Sequence, residues 1–188
     1  MTDEERTHWN ERYRERDPAL EPSTFLREVA DSLPEGRALD VATGGGRNAI
    51  FLAKCGYEVT GIDLSEGGLE IARERTAERG VTERTEFIQG DIEQYDFSPE
   101  TYDVIIVSYY YSLNALPDLK CALAPGGVLL YEHRLHPSGD DSHRFRFHPN
   151  DLLRACLDLR IVRYEEPVAI SEGTGDVRLV ARKPDSPN

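Results

Sequence analysis

The sequence predicts a doubly wound α/β fold with three layers, and three observations point to it. From Arg37 onward, short apolar runs alternate with segments of helical periodicity, which is typical of parallel strands joined by right-handed helical crossovers. The first apolar run is followed by three consecutive glycines, Gly44 to Gly46, as expected where a strand turns tightly into a helix. The chain has 188 residues, enough to bury the core of one such domain.

Each element follows from its local pattern. Before the alternating region, two helices are expected over residues 3–16 and 22–33, with Pro18 and Pro22 between them. Strands are then predicted at 37–42, 57–62, 84–89, 102–108, 127–133, 158–165 and 177–183. Helices are predicted at 47–55, 65–79, 114–123 and 150–157. Ser65 is a suitable N-cap for the helix 65–79, because its hydroxyl can accept a hydrogen bond from a free amide of the first turn.

Composition excludes several classes of function. The net charge of −13 and the pI near 4.8 argue against non-specific nucleic-acid binding, because phosphates would be repelled. No apolar stretch approaches the roughly 20 residues that a membrane-spanning helix needs. The charged first 20 residues do not resemble a secretory signal. We therefore expect a cytoplasmic protein with no nucleic-acid or membrane partner.

The glycine loop indicates a nucleotide site but leaves the nucleotide open. Gly44, Gly46 and Ala49 match the spacing GxGxxA, and Asp63 lies 17 residues beyond Gly46. This spacing fits a dinucleotide fingerprint. It fits an adenosyl group that carries positive charge equally well.

Acidic residues at successive strand ends distinguish the two ligands. Asp40 closes the first strand, Asp63 the second, and Asp91 follows the third. A pyrophosphate would be repelled there, whereas an ammonium and a sulfonium would be stabilised. Asp63 can accept hydrogen bonds from ribose hydroxyls, and Asp91 from an adenine amino group. The predicted cofactor is therefore S-adenosylmethionine.

The motifs DVATGGG, GIDLS, GDI and LAPGG together resemble those of the class I S-adenosylmethionine-dependent methyltransferases, over about residues 37–183. The resemblance implies a Rossmann-like fold whose seven-stranded sheet has the order 3-2-1-4-5-7-6, with the seventh strand antiparallel. Ala42 stands where the family has a glycine. The stretches HWNERY, GRN and FRFHPNDLLRACLDLRIVRYEE are similar to small tellurite-resistance-type members, which act on small molecules or oxyanions.

The resemblance also divides the chain and assigns its sites. Residues 1–34 would form a helical lid within the same domain, 35–183 the cofactor-binding methyltransferase domain, and 184–188 a flexible tail. The cofactor site is expected to comprise Asp40, Ala42, Thr43, Gly44, Gly46, Asn48, Asp63, Leu64, Asp91, Ile92 and Ser108. Trp9 and Tyr13 would either close over the cofactor or simply pack as part of an amphipathic helix.

The methyl acceptor is expected above the ends of the fourth and fifth strands. Candidate catalytic residues there are His133, Tyr109 and Tyr110, and candidate substrate residues are Tyr111, Arg134, Arg144 and Arg146. His133 suits a general base because its free pKa lies near neutral pH, although a merely hydrogen-bonded histidine fits as well. The cluster of histidines and arginines from His133 to His148 favours an anionic acceptor or is only a charge-balanced loop, and no metal site is predicted.

These observations predict a methyltransferase acting on a small-molecule acceptor, as a monomer or homodimer. Two alternatives stay open: a non-catalytic protein that senses S-adenosylmethionine, and a nicotinamide-dependent oxidoreductase. Turn-forming residues between Leu135 and Phe147 predict a mobile flap beside the acceptor.

Overall fold

The computed structural model describes residues 18–135, 146–167 and 175–185, together with Thr7, Asn10, Glu11 and Tyr13. Its strands are β1 (Arg37–Val41), β2 (Glu58–Asp63), β3 (Thr85–Gln89), β4 (Tyr102–Ser108), β5 (Leu123–Arg134), β6 (Arg160–Glu165) and β7 (Asp176–Arg182). Its α-helices are α1 (Thr24–Val29), α2 (Arg47–Lys54), α3 (Glu66–Glu78), α4 (Leu116–Ala122) and α5 (Asp151–Ala155). The seven strands form one sheet in the order β3-β2-β1-β4-β5-β7-β6, which confirms the predicted fold class and strand order. The chain divides into two compact units, residues 1–96 and 97–188.

The first unit contains a parallel arrangement of β1, β2 and β3 with the helices α2 and α3. Arg37 pairs with Glu58 at the start of β1, and Val59 pairs with Thr85 at the start of β3. Because parallel strands end at the same edge of a sheet, the acidic residues that close them share that edge. Gly61 permits close packing inside the unit, since a Cβ there would lie 2.7 Å from the Phe87 ring.

The second unit combines a parallel pair with two antiparallel pairs. β5 runs parallel to β4 and antiparallel to β7, and β7 runs antiparallel to β6. β4 and β5 are apolar along most of their length and largely buried, as expected for central strands covered on both faces. The antiparallel register brings Arg134 opposite Asp176, although 42 positions separate them in the chain.

Several predicted boundaries shift. The helix expected over 22–33 is α only from Thr24 to Val29 and continues as a 3₁₀ turn over Ala30–Ser32. β5 starts at Leu123 instead of residue 127, because Leu123 pairs with Tyr102 ahead of a register shift. Gly126 absorbs the irregular backbone with a φ of +75°.

Two expectations lie mainly outside the described residues. Of the helix predicted over 3–16, Thr7, Asn10, Glu11 and Tyr13 are described, and all four are helical. The flap predicted over Leu135–Phe147 is described at its two ends, where Leu135 and Phe147 form a bridge and are buried. None of the helices in the described ranges has the length and apolar character needed to cross a membrane.

Candidate functional site

The glycine loop between β1 and α2 has the backbone of a tight cradle. Gly44 and Gly46 have φ values of +53° and +77°, a region in which side chains are strained. A Cβ on Gly46 would lie 2.9 Å from the Cβ of Ala72 in α3, so only glycine allows this helix to approach. Ala42, which replaces a family glycine, also lies in the left-handed region with φ +55°. The loop therefore needs three residues with positive φ. Gly44 and Gly46 adopt such values freely, whereas Ala42 adopts one at a cost in conformational energy.

Asp40 is turned into the loop and is 1% exposed. Its Oδ2 accepts hydrogen bonds from the Thr43 hydroxyl at 2.5 Å and from the Ala49 amide at 3.1 Å. Burial raises the pKa of this carboxyl to about 6, and the two hydrogen bonds oppose that rise. Asp40 thus holds the loop against the first turn of α2, and its direct role towards the cofactor stays a prediction.

Asp63, the last residue of β2, is hydrogen-bonded to the glycine loop that follows β1. Its Oδ2 accepts the Gly44 amide at 2.8 Å, and its Oδ1 accepts the Ser65 amide at 2.8 Å. Burial raises the pKa of Asp63, whereas these amides lower it. A carboxylate offers about four acceptor positions, so Asp63 keeps capacity for ribose hydroxyls beside the loop.

The other predicted cofactor residues of this unit make different contacts within the protein. Asp91 follows β3 and accepts the Glu93 amide and the Gln94 side chain at 3.1 and 3.0 Å. Ile92 is buried, and the Leu64 carbonyl accepts from the Gln89 side chain. Asn48 is buried and its side-chain oxygen accepts the Ser23 amide, so it ties α2 to the N-cap of α1. Cofactor contact by these residues stays a prediction.

Tyr13, for which the sequence predicts either closure over the cofactor or simple packing, contacts the glycine loop, and Asn10 adds contacts that no sequence pattern indicated. The Tyr13 hydroxyl lies 2.1 Å from the position of a Cβ on Gly44, and its ring lies 3.1 Å from that of a Cβ on Gly68. Asn10 Oδ1 accepts from the Ser65 hydroxyl at 2.7 Å and from the Gly67 amide at 3.2 Å. A Cβ at position 68 would crowd the Tyr13 ring, which accounts for the glycine there. The stretch HWNERY contains both Asn10 and Tyr13, so it is the part of the sequence from which these contacts could be anticipated.

The cradle fits a cationic adenosyl cofactor. Its buried carboxyls are those of Asp40 and Asp63, and the phenol of Tyr13 lies where a Cβ on Gly44 would stand. Carboxylates stabilise ammonium and sulfonium groups by their negative charge and repel a pyrophosphate. The fit agrees with the ligand predicted from the strand-end acids.

The second unit holds the residues predicted for the acceptor. At the end of β4, the Ser108 hydroxyl donates to the buried Glu132 at 2.9 Å, and its predicted cofactor role is untested. Tyr109 is 43% exposed and has a φ of +59°, a strained value for an aromatic residue. Its hydroxyl donates to Asp176 at 2.9 Å. Partial burial and the carboxylates of Glu132 and Asp176 raise the pKa of Tyr109 to about 12, so it remains a phenol at neutral pH.

His133 lies beside these groups and is 6% exposed. Its Nδ1 is 3.2 Å from the Arg134 carbonyl, which can only accept a hydrogen bond. That contact requires the proton on Nδ1 and leaves Nε2 as the basic nitrogen. Burial lowers the pKa of His133 below its usual range, so the ring is neutral at pH 7. The described geometry is that of a histidine able to receive a proton.

Aromatic rings surround His133. The ring centroids of Tyr111 and Tyr109 lie 6.0 and 6.4 Å from its own, and that of Phe147 lies 5.6 Å away. Tyr131 packs edge-on against Phe147 and donates its hydroxyl to the Tyr110 carbonyl at 2.6 Å. Tyr110 accepts this hydrogen bond through its backbone carbonyl, and a catalytic role for its side chain stays a prediction.

Two of the predicted arginines lie near this cluster. The Arg134 guanidinium carbon is 5.9 Å from the centroid of the Tyr109 ring, and the charges of Arg134 and Arg146 both lower the pKa of His133. Arg144 and the histidine at position 136 lie outside the described residues. Within the described ranges, no group of three acidic, histidine or cysteine side chains is placed to hold a metal ion.

Comparison with known proteins agrees with the fold and the loop. The sequence model described as "Methyltransferase domain" matches residues 38–127, which include the glycine loop and all three strand-end acids. Residues 38–127 thus carry the sequence pattern of a methyltransferase domain, and the strand order is the one that the class I resemblance implies. The cofactor of this family is S-adenosylmethionine, which confirms the predicted cofactor over the dinucleotide.

Among curated relatives, a ubiquinone biosynthesis O-methyltransferase of Aliivibrio fischeri (strain MJ11) is 30% identical over 157 residues, covering 69% of this chain and 65% of the relative. A ubiquinone/menaquinone biosynthesis C-methyltransferase of Ectopseudomonas mendocina is 28% identical over 140 residues, covering 66% of this chain and 54% of the relative. The chain thus spans less than two thirds of the length of either relative.

Solved structures show the same fold at lower identity. TehB from Haemophilus influenzae superposes with a TM-score of 0.77 at 18% identity, covering 93% of this chain and 67% of TehB. The [4+2]-cyclase SpnF superposes with a TM-score of 0.73 at 20% identity, covering 90% and 86%. A cyclase shares this fold, so the fold alone does not determine the reaction. The narrower resemblance to tellurite-resistance-type members stays a prediction.

Proposed function

We propose that the chain is an S-adenosylmethionine-dependent methyltransferase that methylates a hydroxyl oxygen of a small-molecule acceptor. Bound S-adenosylmethionine supplies an electrophilic methyl group on a sulfonium. A hydroxyl is a weak nucleophile unless its proton is removed, whereas an ionised thiol or oxyanion needs no base. The presence of a competent base therefore favours a hydroxyl acceptor.

The buried, neutral His133 is the observation that carries this proposal. Its Nδ1 proton is engaged by the Arg134 carbonyl, so Nε2 is the nitrogen that can take the acceptor proton. The imidazolium formed in this way is stabilised by the carboxylate of Asp176, whose charge raises the pKa of His133. Tyr109 donates its hydroxyl proton to Asp176, and its oxygen can still accept a hydrogen bond from the acceptor. The oxygen chemistry of the Aliivibrio relative supports the same choice.

The charged side chains and aromatic rings around His133 narrow the chemical class of the acceptor further. Arg134 and Arg146 are close enough to His133 to affect its pKa, and both would attract an anionic group beside the reacting hydroxyl. Tyr109, Tyr111 and His133 offer ring faces against which a planar molecule can pack. A small hydroxylated acid, with an aromatic one favoured over an aliphatic one, suits these features.

An acceptor screen with methyl-labelled cofactor tests the proposal. Phenolic and aliphatic hydroxy acids, thiols, and selenite or tellurite would be compared for turnover. His133→Gln should lower kcat on a hydroxyl acceptor by about 10²- to 10⁴-fold and leave S-adenosylhomocysteine binding unchanged. Turnover of thiols or oxyanions alone would contradict the hydroxyl assignment, and absence of turnover with every acceptor would favour a sensor.

The pH dependence gives a second check. His133 acts as a base only when neutral, so kcat should fall on acidification, and the lowered pKa of His133 should centre this acidic limb below pH 6.5. The acidic limb should be absent in His133→Gln. A limb centred above pH 6.5 would mean that a different group is the base.

A further inference from the structure

Arg75 in α3 has a setting that the cofactor chemistry does not explain. The residue is 6% exposed, and its guanidinium group faces backbone carbonyls. Its Nη1 donates to Gly45 at 3.1 Å and to Ala19 at 3.4 Å, and its Nη2 donates to Pro18 at 2.7 Å. Burying a guanidinium is costly unless its donors are used, so these hydrogen bonds specify its position. One side chain thus joins the glycine loop to the segment that precedes α1.

Packing at Gly45 reinforces the same junction. A Cβ on Gly45 would lie 2.5 Å from Pro18 Cγ and 2.8 Å from Arg75 Nη1. Unlike Gly44 and Gly46, Gly45 does not have a positive φ. Its glycine is therefore required by the close approach of Pro18 and Arg75 and not by the backbone conformation.

The same segment places Tyr13 on the cofactor cradle. Tyr13 lies over Gly44 and Gly68, five positions before Pro18 in the chain, and Asn10 is hydrogen-bonded to the first turn of α3. The carbonyls of Pro18 and Ala19 are the points at which Arg75 holds this segment. Tyr13 and Pro18 thus lie against neighbouring glycines of the same loop, Gly44 and Gly45.

We propose that Arg75 is a positioning residue for cofactor binding, which fixes the Gly45 carbonyl and the Pro18–Ala19 segment and so keeps Tyr13 seated over Gly44. Arg75 acts through these groups and needs no contact with the cofactor itself. The proposal rests on the cofactor site and not on the acceptor chemistry, so it stands whichever acceptor the protein uses.

Calorimetric titration with S-adenosylhomocysteine tests it. Arg75→Gln should raise the Kd about tenfold, because hydrogen bonds from a charged group to three carbonyls are weakened. Gly45→Ala should raise the Kd similarly while keeping the charge, because its Cβ displaces Pro18 and Arg75. Arg84→Gln is the matched control, since Arg84 donates to the Gly56 carbonyl and Glu58 away from the loop. Titration of the wild-type chain tests the cofactor assignment by itself.

Tryptic cleavage separates positioning from a general loss of stability. Arg12, Arg14 and Arg16 flank Tyr13 in the sequence, so cleavage after them reports whether this segment is docked. S-adenosylhomocysteine should slow that cleavage in the wild type and in Arg84→Gln, but not in Arg75→Gln or Gly45→Ala. If Arg75→Gln does not fold, Gly45→Ala decides alone. A lower Tm with unchanged Kd and unchanged ligand protection would overturn the proposal.

Discussion

Replacing Asp40 with asparagine should make the protein more stable and its cofactor binding weaker. The Asp40 carboxyl is 1% exposed and accepts from Thr43 and Ala49 through a single oxygen, Oδ2. An asparagine carbonyl oxygen can accept the same two hydrogen bonds at nearly the same shape. Asp40→Asn therefore removes the charge and retains the acceptor.

The magnitude follows from the pKa of Asp40, which burial raises from 3.8 to about 6. Between these values the native state binds more protons than the unfolded state, so the contribution of Asp40 to stability falls as the pH rises. The loss is complete above pH 6, and a shift of about 2 units at 1.36 kcal/mol each amounts to about 3 kcal/mol. Asp40→Asn should recover about this amount at pH 8 and little below pH 3.8, where both states of the wild type are protonated.

Urea denaturation of both proteins at pH 8 and near pH 4 measures the effect. Asp31→Asn, at an exposed position, controls for the change in net charge. Calorimetry at pH 8 should show weaker binding by Asp40→Asn, with a larger loss for S-adenosylmethionine than for S-adenosylhomocysteine, which lacks the sulfonium charge. A variant less stable than the wild type at pH 8, or a stability difference independent of pH, would refute this reasoning.

Four further substitutions test single features. Ala42→Gly should raise the free energy of unfolding by about 1 kcal/mol in urea titrations, because position 42 has a positive φ, and no gain would contradict that strain. Asp63→Ala should weaken S-adenosylhomocysteine binding by roughly 1.5–3 kcal/mol in calorimetry through lost charge-assisted hydrogen bonds. Tyr109→Phe should raise the acceptor KM without moving the pH profile, because the phenol hydroxyl held by Asp176 stays protonated up to about pH 12. Arg146→Gln should raise the KM of an anionic acceptor at constant cofactor affinity, and an unchanged KM would remove the case for an anionic acceptor.

Local patterns predicted the elements that form the glycine loop and the strand ends beside it. The glycine loop, Asp40, Asp63 and the Ser65 N-cap all lie within a short stretch, residues 37–65, whose spacing reflects one strand–loop–helix–strand unit. Such units are recognisable because a turn that needs positive φ demands glycine, and an amide at a helix start demands an oxygen acceptor. The patterns did not show that Asp40 bonds to the loop itself, because the direction of a buried side chain depends on its neighbours in space.

The acceptor side was less predictable for the same reason. Asp176, which holds the Tyr109 hydroxyl, reaches it through the antiparallel pairing of β5 with β7. No periodicity within β7 marks Asp176 as part of a site. Arg75 is a similar case, because an arginine in a charged helix reads as a solvent-facing residue until its three carbonyl partners are known.

The sequence by itself determined the α/β architecture, the strand order through its family resemblance, and the charge of the cofactor. These properties depend on short-range order: alternation of apolar runs, glycines where φ must be positive, and acids where parallel strands end. Only the tertiary structure decided which nitrogen of His133 is basic, why Gly45 and Gly68 lack side chains, and where Arg75 directs its guanidinium. Those properties arise from burial and from hydrogen bonds between residues far apart in the chain, and the free energies involved do not exist until the fold brings the partners together.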